Sequence, residues 1–217
     1  RLHWPTGALK PVLMAWFPGG GWMAGTLDTH DGLCRQLAHD LGVAVVCVQL
    51  PPATEGPLLH SCELALLALR TLLEGRAKLG VNPLRLLVGG DGSGGHAAMQ
   101  AAWRLARSQP GSVDAVLGLC PFVKPDFNSA SYVRCASSPV LSRADAIRAW
   151  HGLLQGRWDL WDERAVLMHG NAPIQNPPVT VLLAAEQDVA HRAQPRARRR
   201  CTKSSRSWPQ KISPSIT

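Results

Sequence analysis

The stretch LLVGGDGSGGHAAMQ, Leu86 to Gln100, decides the fold. An apolar run ends in a cluster of Gly, Asp and Ser, and an Ala-rich helical pattern follows. Two chemistries compete for a turn of this kind. Gly90, Gly92 and Gly95 satisfy G-x-G-x-x-G, in which a helix N-terminus attracts a pyrophosphate. That reading needs an acid about 20 residues on, at the C-terminal end of the next strand, to hold a ribose. The available acid, Asp114, lies at the start of VDAVLGLC (113–120), the wrong end, and the turn follows the third strand-like run rather than the first. A Walker-type loop fails because His96 stands where Lys is required. The other reading is a strained turn that lifts a nucleophile above a sheet, its glycines letting the backbone fold tightly. It requires a second glycine-rich loop whose backbone N–H groups face an oxyanion. FPGGGWMAG (17–25) follows the first strand-like run directly and supplies one.

Around this turn, apolar runs alternate with helical patterns. PVLMAWF (11–17), VAVVCVQL (43–50), LRLLVG (84–89), VDAVLGLC (113–120) and PVTVLLAA (178–185) read as buried strands. Helices are predicted over 28–42, with Asp28 or Thr29 as cap and Gly42 as stop, over 60–80, over 93–109, and over 142–156 with Ser142 as cap. Strands separated by helices imply an α/β fold, a mostly parallel central sheet with helices on both faces and right-handed crossovers. Residues 121–141 and 157–177 show little period and are expected as loops covering one edge of the sheet.

Four segments in one order, PGGGW, RQLAHDLGVAVVCVQL, GVNPLRLLVGGDGSGG and PPVTVLLAAEQD, resemble the hormone-sensitive-lipase type of α/β-hydrolase. This carboxylesterase group includes arylesterases and arylacetamide-deacetylase-like enzymes, and the resemblance runs from about residue 11 to residue 190. It implies an ester hydrolase with a Ser–His–Asp triad. The family's HGGGW is Pro18 to Trp22 here, the histidine being replaced, and the resemblance makes Gly20 and Gly21 oxyanion donors. The family's G-D-S-A-G-G is Gly90 to Gly95. The nucleophile position is therefore Gly92, which has no hydroxyl. Ser93 falls on the residue whose N–H completes the oxyanion hole, and it is also the candidate for a displaced nucleophile. Asp188, in AEQD, matches the triad acid. A triad histidine is expected on the order of thirty residues later, after a helix-and-turn unit. Only 29 residues follow Asp188, and their one histidine, His191, is too close. The family's Tyr-Arg-Leu-Ala-Pro-Glu segment is degraded to VQLPPATEG. The resemblance thus implies a chain with a degraded active site, inactive or very weak, and truncated at its C-terminus. Two alternatives stay open: a non-catalytic module binding a small apolar ester or acyl ligand in the old pocket, and a truncated product without function.

Composition sets the remaining bounds. The chain has 217 residues, enough for one α/β domain with a core, and its hydrophobic content of 46% argues for a globular, soluble protein. It opens at Arg1 rather than Met, so a fragment or a processed form is expected. No apolar run reaches the eighteen or so residues of a membrane span. Six cysteines form no CxxC pair and read as reduced, structural residues in a cytoplasmic setting. The net charge of +8 resides in residues 191–217, which hold eight of the 23 basic residues and no acid. The chain therefore divides into a hydrolase-like domain, 1–190, and a basic tail, 191–217, too polar to pack and expected to be disordered. No nucleic acid is expected for the domain. No cofactor is implied, and no His/Cys/Asp cluster has metal-ligand spacing. His96, three residues after Ser93, could face it on the helix. His3, His30, His39, His60, His151 and His169 are expected in structural roles. Trp103, Trp150, Trp158 and Trp161 are expected as packing.

Overall fold

The structure, a computed structural model, describes residues 1–79, 85–159 and 175–190. Its strands are β1 (Leu2–His3), β2 (Val12–Phe17), β3 (Ala44–Cys47), β4 (Arg85–Asp91), β5 (Ala115–Leu119) and β6 (Val179–Leu183). Its α-helices are α1 (Asp31–Leu41), α2 (His60–Gly75), α3 (Gly92–Ser108), α4 (Ala130–Arg134) and α5 (Arg143–Leu154). One sheet holds the strands in the order β1-β3-β2-β4-β5-β6. Every pairing is parallel except β1 with β3. β4, which carries the glycine turn, lies inside the sheet between β2 and β5.

The period-two alternation of the strands divides the core between two faces. Leu13, Ala15, Phe17, Leu86, Val88 and Val116 face one side, under the small inner faces of α2 and α3. Met14, Trp16, Val45 and Cys47 face the other, under Cys34 and Ala38 of α1. Helices therefore cover both faces. Ala97, Ala98, Ala101 and Ala102 of α3 are completely buried, and their small side chains let this helix lie close on β4. A third cluster gathers Trp22, Phe122, Tyr132, Trp150, Leu153 and Val189. Trp22, Phe122 and Val189 follow the ends of β2, β5 and β6, so this cluster sits at the C-terminal edge of the sheet, with α5 packed into it.

Several expected boundaries shift. The helix predicted from 28 begins at Asp31, with His30 as its N-cap and no side-chain capping bond. Asp28 is instead drawn to the Arg1 guanidinium at 2.7 Å, and the Thr29 hydroxyl donates to the Thr26 carbonyl at 2.9 Å. Gly42 ends the helix in the left-handed conformation, as expected (φ 65°). Ser142 caps α5 in a reciprocal capping box with Asp145. The second run, expected over 43–50, forms a strand only over Ala44–Cys47, ahead of Pro51 and Pro52, which have no N–H to give. α2 ends at Gly75 and passes into a tighter turn over Arg76–Leu79. Residues 121–141 are not only loop: α4 forms there, and Tyr132 packs inside. Most of 157–177, with Trp161 and His169, and the whole of 191–217 lie outside the described residues.

Candidate functional site

β4 runs straight into α3, and the turn between them leaves no slack. A Cβ on Gly94 would lie 2.0 Å from the Phe17 carbonyl oxygen and 2.5 Å from that of Pro18. One on Gly90 would lie 2.5 Å from the Gly94 carbonyl, and one on Gly95 2.9 Å from the Gly90 carbonyl. Gly92, at the apex, is in the left-handed region with φ +49°, and a Cβ there would meet nothing within 4 Å. The apex thus has the strained geometry and the open space that a projecting side chain would need, and carries none. The Phe122 N–H donates to the Gly92 carbonyl at 3.1 Å and ties the apex to the segment after β5.

The Pro18–Gly25 loop lies against this turn. Gly20 and Gly21 have φ of +126° and +67°, and Trp22 also has a positive φ of 60°. The Gly20 carbonyl accepts from the N–H groups of Met23 and Ala24 at 3.2 and 3.1 Å, which closes the loop on itself. Among the described residues no acceptor pairs with the N–H groups of Gly20 or Gly21. Two contacts dock the loop on the turn. The Gly19 N–H donates to Asp91 Oδ1 at 3.1 Å, and the Trp22 N–H donates to Ser93 Oγ at 3.0 Å.

Ser93 is only 2% exposed, so its hydroxyl serves as a buried acceptor that anchors the loop. His96 is completely buried, and its ring stands edge-on to Trp22 and Trp150 at centroid distances of 5.2 and 5.5 Å. The two residues share the first turns of α3, but neither side chain is open to solvent.

His30, expected in a structural role, has one, but its partner was not foreseen. Its Nε2 lies 3.0 Å from Asp91 Oδ1 and 3.2 Å from Oδ2, and its Nδ1 lies 2.8 Å from Thr29 Oγ1. Asp91 therefore joins three elements, β4, the glycine loop and the start of α1. The local pattern around His30 is that of a helix N-terminus and gave no sign of a partner 61 residues away. Asp114, the candidate ribose ligand, sits at the start of β5, where its Oδ2 accepts the Leu86 N–H at 2.9 Å and stitches two strands together.

Asp188 lies in the loop after β6, at the same edge of the sheet. Its Oδ1 accepts the Ala190 N–H at 3.0 Å, and its own N–H reaches the Ala185 carbonyl at 3.2 Å. Burial, with the Asp188 charge added, pushes the Cys120 thiol up. The same causes push the Tyr132 phenol up. The acid candidate thus lies near Cys120, just beyond β5, and its charge reaches Tyr132 of α4. Trp150 and Trp158 pack as expected, and Trp103 lies on the main core with its N–H 3.4 Å from Thr180 Oγ1. Among the described residues no group of His, Cys, Asp or Glu is arranged to hold a metal ion, and no helix is long and apolar enough to cross a membrane.

A family model described as alpha/beta hydrolase fold matches residues 14–209. Among curated proteins, the carboxylesterase NlhH of Mycobacterium tuberculosis is 33% identical over 198 residues, covering 87% of this chain and 60% of the relative. Esterase LipI of the same organism is 34% identical over 191 residues, covering 85% and 59%. Among solved structures, a thermostable esterase from Pseudomonas putida superposes with a TM-score of 0.82 at 25% identity, covering 90% of this chain and 61% of the other. The chain spans about three fifths of the length of each of these proteins.

Proposed function

From the premise that this chain belongs to the α/β-hydrolase family, with esterases and lipases among its relatives, we propose that it binds a small apolar ester or acyl compound at the β4–α3 turn and does not hydrolyse it by the serine mechanism. One observation carries this reading. The apex of the turn is Gly92, with open space where a nucleophile would stand. The mechanism needs a hydroxyl there, activated by a histidine base that an acid orients, and N–H donors for the oxyanion. On this reading the Gly20 and Gly21 N–H groups, with that of Ser93 at the start of α3, receive the ligand carbonyl. On the same reading Asp188 stands at the acid position. Ser93 does not replace the nucleophile, because its oxygen is buried and accepts the Trp22 N–H. His96 does not replace the base, because its ring is enclosed by Trp22 and Trp150.

A fluorophosphonate probe, which reacts with activated serines, tests this directly. The wild-type chain is expected to stay unlabelled by intact-mass measurement. A single adduct mapped to Ser93 would overturn the reading and make Ser93 a displaced nucleophile.

A further inference from the structure

Cys34, in the first turn of α1, and Cys47, the last residue of β3, sit in one buried cluster with Met14, Trp16 and Val45. Both are free thiols. The Cys34 thiol donates to the Cys47 sulfur, which holds the Cys47 thiol below its ordinary range and pushes that of Cys34 up. The start of α1 spans two strands. Cys47 lies opposite Trp16 of β2, and Trp16 lies opposite Gly89 of β4, so β2 separates β3 from β4. Cys34 holds α1 to β3. His30, one turn earlier, holds it to Asp91 at the end of β4, and the His30 carbonyl accepts the Cys34 N–H at 2.9 Å.

We propose that Cys34 and Cys47 form a redox-sensitive pair that a small peroxide converts to a disulfide, and that this bond loosens the hold of His30 on Asp91 and so of Asp91 on the glycine loop. With hydrogen peroxide, the Cys47 thiolate attacks one oxygen and the O–O bond breaks. Cys47 becomes a sulfenic acid, and the departing hydroxide takes up the proton shed by the thiol as water. The Cys34 sulfur then attacks the sulfenic sulfur. The S–S bond forms, the S–O bond breaks, and the hydroxyl leaves with the Cys34 proton as a second water. Two thiols are oxidised and one peroxide is reduced. An S–S bond is about 2 Å long, shorter than the contact between hydrogen-bonded thiols. Closing it draws the first turn of α1 toward β3 and away from Asp91, on the far side of β2. Neither cysteine is open to solvent while α1 is seated, so the oxidant enters when that turn lifts. The turn is suited to local opening. It has no side-chain capping bond, and Asp31 is tied by ion pairs to Arg1 and Arg35 at the surface, contacts that add little stability.

The wild-type chain would be treated with hydrogen peroxide, its remaining thiols blocked with iodoacetamide, and its peptides mapped by mass spectrometry before and after dithiothreitol. A reducible cross-link between Cys34 and Cys47 is expected. Hydrogen exchange at the Gly19 N–H, which Asp91 accepts, is expected to be about fivefold faster in the oxidised chain, the worth of one hydrogen bond, with the α3 amides unchanged. Both readings come from the wild-type chain and need no variant to fold. Thiols that stay reduced, or oxidation of either cysteine to a sulfinic acid without a cross-link, would overturn the pairing. A cross-link that leaves Gly19 exchange unchanged would overturn its coupling to the glycine loop. In Cys34→Ala, peroxide is expected to leave Gly19 exchange as it was. An acceleration that persists there would trace the effect to another oxidised residue, such as the exposed Met23 on the same loop, and would overturn the coupling too.

Discussion

The flanks and the apex of the β4–α3 turn lie two residues apart and obey different rules. At Gly94 an added Cβ would meet the Phe17 carbonyl at 2.0 Å, whereas at Gly92 it would meet nothing within 4 Å. The flanks are glycine because backbone from β2 and the glycine loop occupies the space. That constraint belongs to packing and holds whether or not the turn performs chemistry. Nothing in the packing demands glycine at the apex, where only the left-handed backbone favours it. The shape of the site is therefore preserved by the core, while the chemistry depends on one residue that the core does not constrain.

The largest expected effect is at the flank. Gly94→Ala places a methyl group inside a carbonyl's contact radius, with backbone rather than a flexible side chain as the obstacle. The variant is expected to lose more than about 4 kcal/mol and to accumulate as insoluble protein. Soluble protein with an unchanged melting transition would mean that the flank is looser than described. At the apex, Gly92→Ala is expected to cost only about 1–2 kcal/mol, the cost of a left-handed conformation for a residue with a side chain. Urea unfolding would show this as a modest shift in midpoint. A loss as large as at Gly94 would erase the contrast between the two positions.

Between these regions stands His30, which holds the carboxylate that holds the loop. His30→Ala removes one hydrogen bond to Asp91, worth about 1 kcal/mol at this partly buried site. It is expected to speed hydrogen exchange at the Gly19 N–H while leaving the α3 amides unchanged. Equal protection of Gly19 in both proteins would show that the loop is held by Trp22 and Ser93 alone. The smallest expected effect concerns Cys120, beyond the turn. Burial and the Asp188 charge both disfavour its thiolate. Alkylation of Cys120 by iodoacetamide is therefore expected to be slower near pH 8 than that of an ordinary cysteine and to keep rising at higher pH. Asp188→Asn removes a negative charge, favours the thiolate and is expected to speed the reaction a few-fold, followed residue by residue by mass spectrometry. An unchanged rate would move Asp188 away from the end of β5.

What was legible in the sequence followed from short-range pattern. The β-branched runs, Gly42 as a helix stop and Ser142 as a cap each depend on neighbours within a few residues; Gly42 and Ser142 appear where the pattern puts them, and the strands form inside their runs, that of 43–50 only over Ala44–Cys47. The two glycine motifs were legible because close approach admits only glycine at positions such as Gly90 and Gly94. The His30–Asp91 contact was not legible, since it joins residues 61 apart and neither shows a partner in its own segment. β1 was missed because Leu2 and His3 make a strand only by pairing with Val45 and Val46, at the edge of a sheet whose other strands run parallel. Asp28 failed as a cap for a similar reason: Arg1 lies 27 residues before it, and only folding brings it near; the Thr29 hydroxyl turned instead to the Thr26 carbonyl close by.

The idea that the hydrolase framework persists at this turn without its chemistry meets its most direct test in ester turnover. Hydrolysis of p-nitrophenyl acetate would be followed for the wild-type chain, Ser93→Ala and Gly92→Ser. Wild type and Ser93→Ala are expected to be indistinguishable, with any acceleration confined to the roughly 10³–10⁴-fold over water that oxyanion donors and binding give without a nucleophile. Gly92→Ser gains a hydroxyl without adding a base to activate it, and is expected to stay far below a full esterase. Wild-type turnover abolished by Ser93→Ala, or robust turnover by Gly92→Ser alone, would contradict the account.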